Sequence, residues 1–251
     1  MKIFTEPEVY LIAEPRICFD GLKPFLEECG FPEAFDTAMP GSETIVELGG
    51  RMCFGSYKNM GKTTELIQKA VELGHGSIFE HANFTFAITR CSRGFTHQMV
   101  RHRAGFAYSQ ESTHYIKYSD ETARFCIEPY AYDTQNKKVI AQKALINAID
   151  SYMILYEELK VEEQTKHNSC GAARALLPNA IEAKILITAN MRAWRHFIEQ
   201  RGTFHNTLEI RMVACKIYDI FNKRVKTLVY GLEKFLDIDG KESIKTINKK
   251  I

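Results

Sequence analysis

Residues 84–103 read FTFAITRCSRGFTHQMVRHR, and the change of period inside this stretch decides the fold. Phe84, Phe86 and Ile88 alternate with Thr85, Ala87 and Thr89, which puts the large apolar groups on one face of a strand. From Arg93 to Arg103 the spacing turns helical, with Phe95, Met99 and Val100 available for burial and Gly105 just beyond as a stop signal. The stretch therefore predicts a sheet strand followed by a helix whose last turn carries Arg101, His102 and Arg103. Successive helical residues point about 100° apart, so on a helix these side chains could not all converge on one small ligand. Adjacent positive or potentially positive groups repel one another, and a chain sets them together chiefly to hold an anion such as phosphate.

Working outward, Leu66, Ile67, Ala70, Val71 and Leu73 recur at helical spacing and stop at Gly74, which predicts an amphipathic helix over 63–73. Gly61-Lys62-Thr63 has the ending of a phosphate loop, but Ser56 stands where that loop needs its first glycine, so it reads as a helix start. The apolar run 183–189, with Ile185 and Ile187 in alternation, reads as a second strand. Long helical patterns cover 138–166 and 206–235, the latter with a stripe of Leu208, Met212, Val213, Ile217 and Ile220. Pro32, Pro40 and Gly41 make 31–43 a loop. The class expected is α+β, a central, mainly antiparallel sheet flanked by long helices in a single domain, 1–251.

Composition narrows the function. With 45% hydrophobic and 25% charged residues, a chain of 251 residues can bury one substantial core. No stretch approaches the roughly 20 apolar residues of a membrane span, and the first ten residues lack a signal-peptide pattern, so a cytoplasmic protein is expected. The seven cysteines are odd in number, scattered and free of any C-x-x-C pair, which predicts reduced core thiols and no disulfide framework. A net charge of +2 falls short of a dedicated nucleic-acid binder and suits small anionic ligands. An RNA-binding protein stacking bases on Phe106, Tyr108 and Tyr115 is the reading from another class, and this charge argues against it. His75, Glu80 and His81 are not in the H-E-x-x-H order, so no metal is expected. His205 fits a capping or buried histidine as well as a catalytic one.

Several ordered blocks carry a resemblance. They are Gly74-His75-Gly76-Ser77-Ile78-Phe79-Glu80-His81, Thr96-His97-Gln98-Met99-Val100-Arg101-His102-Arg103 and Ser109-Gln110-Glu111-Ser112-Thr113-His114-Tyr115. Farther on stand Ala173-Arg174-Ala175-Leu176-Leu177-Pro178, Asn190-Met191-Arg192 and His196-Phe197-Ile198-Glu199-Gln200-Arg201. In this order the chain resembles the flavin-dependent thymidylate synthases over roughly residues 45–220, leaving 1–45 as an N-terminal extension and 236–251 as a polar tail.

The resemblance implies a homotetramer with FAD-containing active sites at subunit interfaces. It implies transfer of a methylene group from methylenetetrahydrofolate to C5 of dUMP, and reduction by a flavin hydride that NADPH has supplied. His75, Ser77, Glu80, Arg101, His102, Arg103, Asn190 and Arg192 match family positions that hold FAD. Gln98, Arg101, Gln110, Ser112, His114, Arg174 and Arg201 match positions around dUMP. The residue types agree: arginine forks suit phosphate and pyrimidine carbonyls, and glutamine amides suit a pyrimidine edge. Arg201 is expected to be catalytic, stabilising the enolate-like charge that makes C5 nucleophilic. Ser112, for which the sequence marks no activating relay, is expected to act by positioning.

Two departures stand out. Residues 104–111 between Arg103 and Ser112 are one more than the family's usual spacing, an excess that Gly105 can absorb. His114 replaces the motif arginine, so nucleotide affinity should weaken as pH rises, and another pyrimidine nucleotide becomes the closest alternative substrate.

Overall fold

A computed structural model describes residues 1–31, 40–162 and 164–247. In order, the elements are β1 (Lys2–Phe4), β2 (Glu8–Ala13), α1 (Phe19–Glu28), α2 (Gly41–Cys53), α3 (Thr63–Leu73), β3 (Asn83–Thr89), α4 (Arg93–Met99) and β4 (Phe106–Gln110). They continue with β5 (Arg124–Cys126), α5 (Gln135–Val161), α6 (Lys166–Ala173), β6 (Ile185–Asn190), α7 (Met191–Arg201), α8 (Leu208–Arg224), β7 (Leu232–Leu236) and β8 (Glu242–Thr246). A four-stranded antiparallel sheet has the order β2-β3-β6-β4, which confirms the α+β class. β1 lies parallel to β5, and β7 and β8 form an antiparallel hairpin in which Leu232 faces Thr246. The N-terminal extension is thus woven into the fold through β1 and β2.

The chain forms two compact units. One holds Met1–Val9, Ala87–Arg101 and Tyr108–Leu186; the other holds Tyr10–Phe86, His102–Ala107 and Ile187–Ile251. In the first, Leu145, Ile149, Tyr152 and Tyr156 of α5 pack with Tyr118, Phe125, Cys170 and Ile181. In the second, Phe86 meets the rings of Trp194 at 5.1 Å and Phe221 at 5.3 Å, both edge to face. The Trp194 indole N–H donates to the Phe84 carbonyl at 3.2 Å, so the one polar atom of that fully buried ring is satisfied.

Local structure agrees with the period at several places. Phe84, Phe86 and Ile88 are all buried on β3. α3 ends at Gly74, whose φ of 79° is the left-handed conformation that glycine adopts freely. Thr63 begins that helix and donates its hydroxyl to the buried Glu47 carboxylate, a structural pin rather than a phosphate loop.

Other expectations change. α4 stops at Met99, so Arg101, His102 and Arg103 lie in the loop before β4 and not on a helical turn. The Tyr108 hydroxyl, nine residues on, donates to the Met99 carbonyl at 3.0 Å and so satisfies an acceptor that the helix end leaves open. The pattern over 138–166 divides into α5, capped by Thr134, and α6, capped by Thr165. The pattern over 206–235 ends as helix at Arg224, because Val225 leaves helical geometry at φ −144° and Gly231 at φ 82° turns the chain into β7. Of the predicted loop 31–43, residues 32–39 lie outside the described residues, and Gly41 already opens α2. Cys91, Cys126, Cys170 and Cys215 are buried free thiols, whereas Cys18 and Cys53 are exposed rather than in the core. Among the described residues, no helix is long and apolar enough to cross a membrane.

Candidate active site

In the second unit the candidate residues gather at the junction of β6 and α7. Asn190 ends β6 and caps α7, its Oδ1 accepting the Ala193 N–H at 2.9 Å. Its amide NH2 lies on the Gly105 side. The first turn of α7 carries no acid and does carry Arg192, a cation at the positive end of the helix dipole, where an anion would be stabilised. Arg192 pairs with Glu80 at 2.6 Å, both side chains about half exposed, a pair of small intrinsic worth. Gly105 approaches so closely that a Cβ there would lie 2.8 Å from Asn190 Nδ2, and its φ of 77° is left-handed. These residues, with His196, line a cavity of about 350 Å³.

His75 and Ser77 line a different cavity of about 710 Å³ with Lys62, Lys69 and Leu66. The 3-10 turn Gly76–His81 thus contributes Ser77 to the larger cavity and Glu80 to the smaller one. Arg101 and Arg103 follow α4 without an ion pair among the described residues.

His102 is the potentially positive member of the triplet, and its surroundings set its charge. Its ring is packed by Phe197 at 5.3 Å, Phe106 at 6.0 Å and His196 at 6.0 Å. Burial first, then Arg201 and His196, push its pKa down to about 4. The imidazole is therefore neutral at physiological pH, and its Nε2 accepts the Arg201 Nε–H at 2.9 Å. Arg201 also donates through Nη1 to Asn206 Oδ1 at 3.3 Å, and Asn206 is itself tied to the Gln200 carbonyl and the Thr203 hydroxyl. Nε and Nη1 are so engaged, which fixes the guanidinium plane by two neighbours, and among the described residues Nη2 has no partner. His102 thus orients an arginine in this structure.

In the first unit, Gln98 lies on α4 and Gln110 ends β4. Ser112 opens a turn in which its carbonyl accepts the N–H of Tyr115 at 3.1 Å and its Oγ accepts the backbone N–H of His114 at 3.3 Å. The His114 ring lies instead against α6: its Nε2 would be 3.1 Å from a Cβ on Gly171, and its ring centroid is 4.6 Å from that of His167. Burial, then Arg174 and His167, hold the His114 pKa below its ordinary value. Arg174, exposed, follows α6 directly.

Sequence reasoning missed Tyr108 as a clamp, Asn206 and His196 as supports of the Arg201 group, and His167. Tyr108 and His196 stood in or beside recognised blocks and could have been questioned there. Asn206 and His167 carry no local signal, since an isolated polar residue on a helix or turn reads as surface. Among the described residues, no cluster of three or more His, Cys, Asp or Glu side chains could hold a metal.

The pattern that defines the family described as thymidylate synthase complementing protein matches residues 36–225. The chain is 32% identical to a flavin-dependent thymidylate synthase of Corynebacterium diphtheriae, over 86% of this chain and 89% of that one. It is 35% identical to the flavin-dependent thymidylate synthase of Mycobacterium tuberculosis, over 71% of this chain and 74% of that one. In fold it is similar to the UMP/dUMP methylase PolB from Streptomyces cacaoi, with a TM-score of 0.66, 18% identity, and coverage of 91% of this chain and 95% of that one. The chain belongs to the thymidylate synthase complementing protein family. It is an enzyme.

Proposed function

We propose that the chain reductively methylates dUMP to dTMP, with methylenetetrahydrofolate as carbon donor and FAD, recharged by NADPH, as hydride source. Family membership supports this reading, and the observation that carries it is the Arg201 guanidinium held by neutral His102 and Asn206. A fixed cationic fork is what stabilises negative charge developing on a pyrimidine carbonyl, because no reorganisation is needed as the charge appears.

The residues present suit FAD. Asn190, Arg192 and the positive end of α7 supply donors and charge for a diphosphate, and both cavities fall in the size range of ligand pockets. When bound, the flavin would supply the hydride. His75, Ser77, Arg101 and Arg103 would share in holding it, with Glu80 exchanging its place on Arg192. Gln98, Arg101 and Gln110 would orient the pyrimidine, while Ser112, His114 and Arg174 would hold the rest of the nucleotide. A homotetramer agrees with α5, which buries Leu145, Ile149, Tyr152 and Tyr156 on one side yet exposes Ile140, Ile146, Ile154 and Val161 elsewhere on its surface. A helix apolar on several sides calls for a second partner. We place the enzyme in the cytoplasm.

Anaerobic reduction of the bound flavin by NADPH, followed optically with and without dUMP, tests this function. Stimulation by dUMP is the expected result. A yellow protein indifferent to dUMP, yet turning over dCMP or CMP, would favour the second reading, a methylase of another pyrimidine nucleotide, which His114 in place of arginine motivates.

Two variants separate the roles. Arg192→Ala should weaken FAD binding by roughly ten- to a hundredfold, since a charge-assisted contact is lost and Glu80 stays behind to repel the anion. Flavin fluorescence on dilution would report the release. Ser112→Ala should lower turnover by about tenfold or less, as for a positioning hydroxyl. Complete loss of turnover with dUMP still bound would make Ser112 a nucleophile instead.

A further inference from the structure

The motif position filled by His114 has a companion that the family pattern did not mark. α6 presents His167 and, one turn later, Gly171, on the same face. The His114 ring rests against that face, edge-on to His167 at 4.6 Å, with Nε2 close over the glycine. His167 also meets the Tyr115 ring at 5.0 Å, tilted by 32°. Arg174 completes the group and is close enough to act on the charge of His114. Among the described residues, no carboxylate pairs with His114, His167 or Arg174.

Resting on the functional reading above, we infer that His167 is a nucleotide-phosphate ligand, and that His114 and His167 together take the place of the family's single motif arginine beside Ser112 and Arg174. The chemistry is that of a phosphate monoester. Two imidazoles supply separate N–H donors where an arginine would supply a paired fork, and both become cationic only on protonation. The titratable and charged groups against His114 are Arg174 and His167, with the Tyr115 phenol beside them. All that carry charge carry the same sign, so protonation is opposed until an anion arrives and is favoured once it has. Nucleotide binding therefore takes up protons, and affinity increases as pH falls through the histidine range.

A surface cluster of packed rings without a ligand would look similar, and the experiment separates the two. With the FAD-loaded full-length protein, dUMP and deoxyuridine are titrated calorimetrically at pH 6 and pH 8 into the parent, His167→Ala, His114→Arg and the double variant. His167→Ala should raise the dUMP dissociation constant by about tenfold at pH 6, the size of one charge-assisted contact, and by less at pH 8. Deoxyuridine, which lacks the phosphate, should bind the variant as it binds the parent. In the His114→Arg background the same truncation should matter by less than about twofold, because the fork makes the imidazole redundant. The phosphate's own ionisation near pH 6 is common to every variant and cancels in their ratio. A change below about twofold at pH 6, or an equal loss for deoxyuridine, overturns the assignment of His167 alone. A parent that binds neither dUMP nor dCMP nor CMP overturns the functional reading as well.

Discussion

Arg201→Ala should lower single-turnover formation of dTMP by about a hundred- to a thousandfold while leaving FAD bound. The expectation follows from how the side chain is held. His102 receives Nε and Asn206 receives Nη1, so the guanidinium is oriented before any substrate arrives. Its alanine replacement removes the charge and the geometry together. Arg201→Lys should rescue little, because a single ammonium on a flexible stem cannot bond His102, Asn206 and a carbonyl in one plane. The arrangement also needs His102 neutral. With its pKa depressed to about 4, the imidazole remains an acceptor until the pH falls to that value, and only below it would the two cations repel. The measurement is rapid quench of dTMP in parallel with flavin retention. Equal loss of FAD in Arg201→Ala and Arg192→Ala would sink the division of labour between them.

Trp194→Ala should cost about 3–5 kcal/mol of folding stability, a large share of what a domain has to lose. The ring is fully buried against Phe86, Phe106 and Phe197, and its N–H is bonded to Phe84. Truncation opens a cavity among rigid rings and leaves the Phe84 carbonyl without its donor. Two of those rings, Phe106 and Phe197, also flank His102, so activity should fall with stability. Denaturant unfolding of the flavin-free protein would report the loss. A change under about 1 kcal/mol would mean that the site collapses to fill the space, and that Trp194 is not the keystone of this unit.

What could be read from the sequence follows from how local each signal is. β3 and α3 were legible because a period of two and a period of 3.6 are written in neighbouring side chains, and because Gly74 marks its own stop. The early end of α4 was not legible, since the hydroxyl that satisfies the Met99 carbonyl there comes from nine residues away. The strand 232–236 was hidden in a pattern that reads equally well as helix, and its partner 242–246 lay in a tail read only as polar. Among site residues, those in recognised blocks were found by resemblance. Their charge states were not, because the neutrality of His102 is a property of the rings and the arginine that surround it. His167 meets His114 only through tertiary packing, which no spacing in the chain encodes.

The clamp from Tyr108 to Met99 bears on how this chain tolerates changes of length. It closes the ends of the arginine-bearing loop onto each other, so the number of residues strung between them is uncoupled from the register of β4. Gly105, in its left-handed conformation, turns the chain within that loop. An inserted or deleted residue is thereby confined to the loop, and the strand beyond it keeps its pairing and its inward and outward faces. In this chain the segment is a replaceable cassette, able to take a residue more or fewer while the scaffold stays in frame.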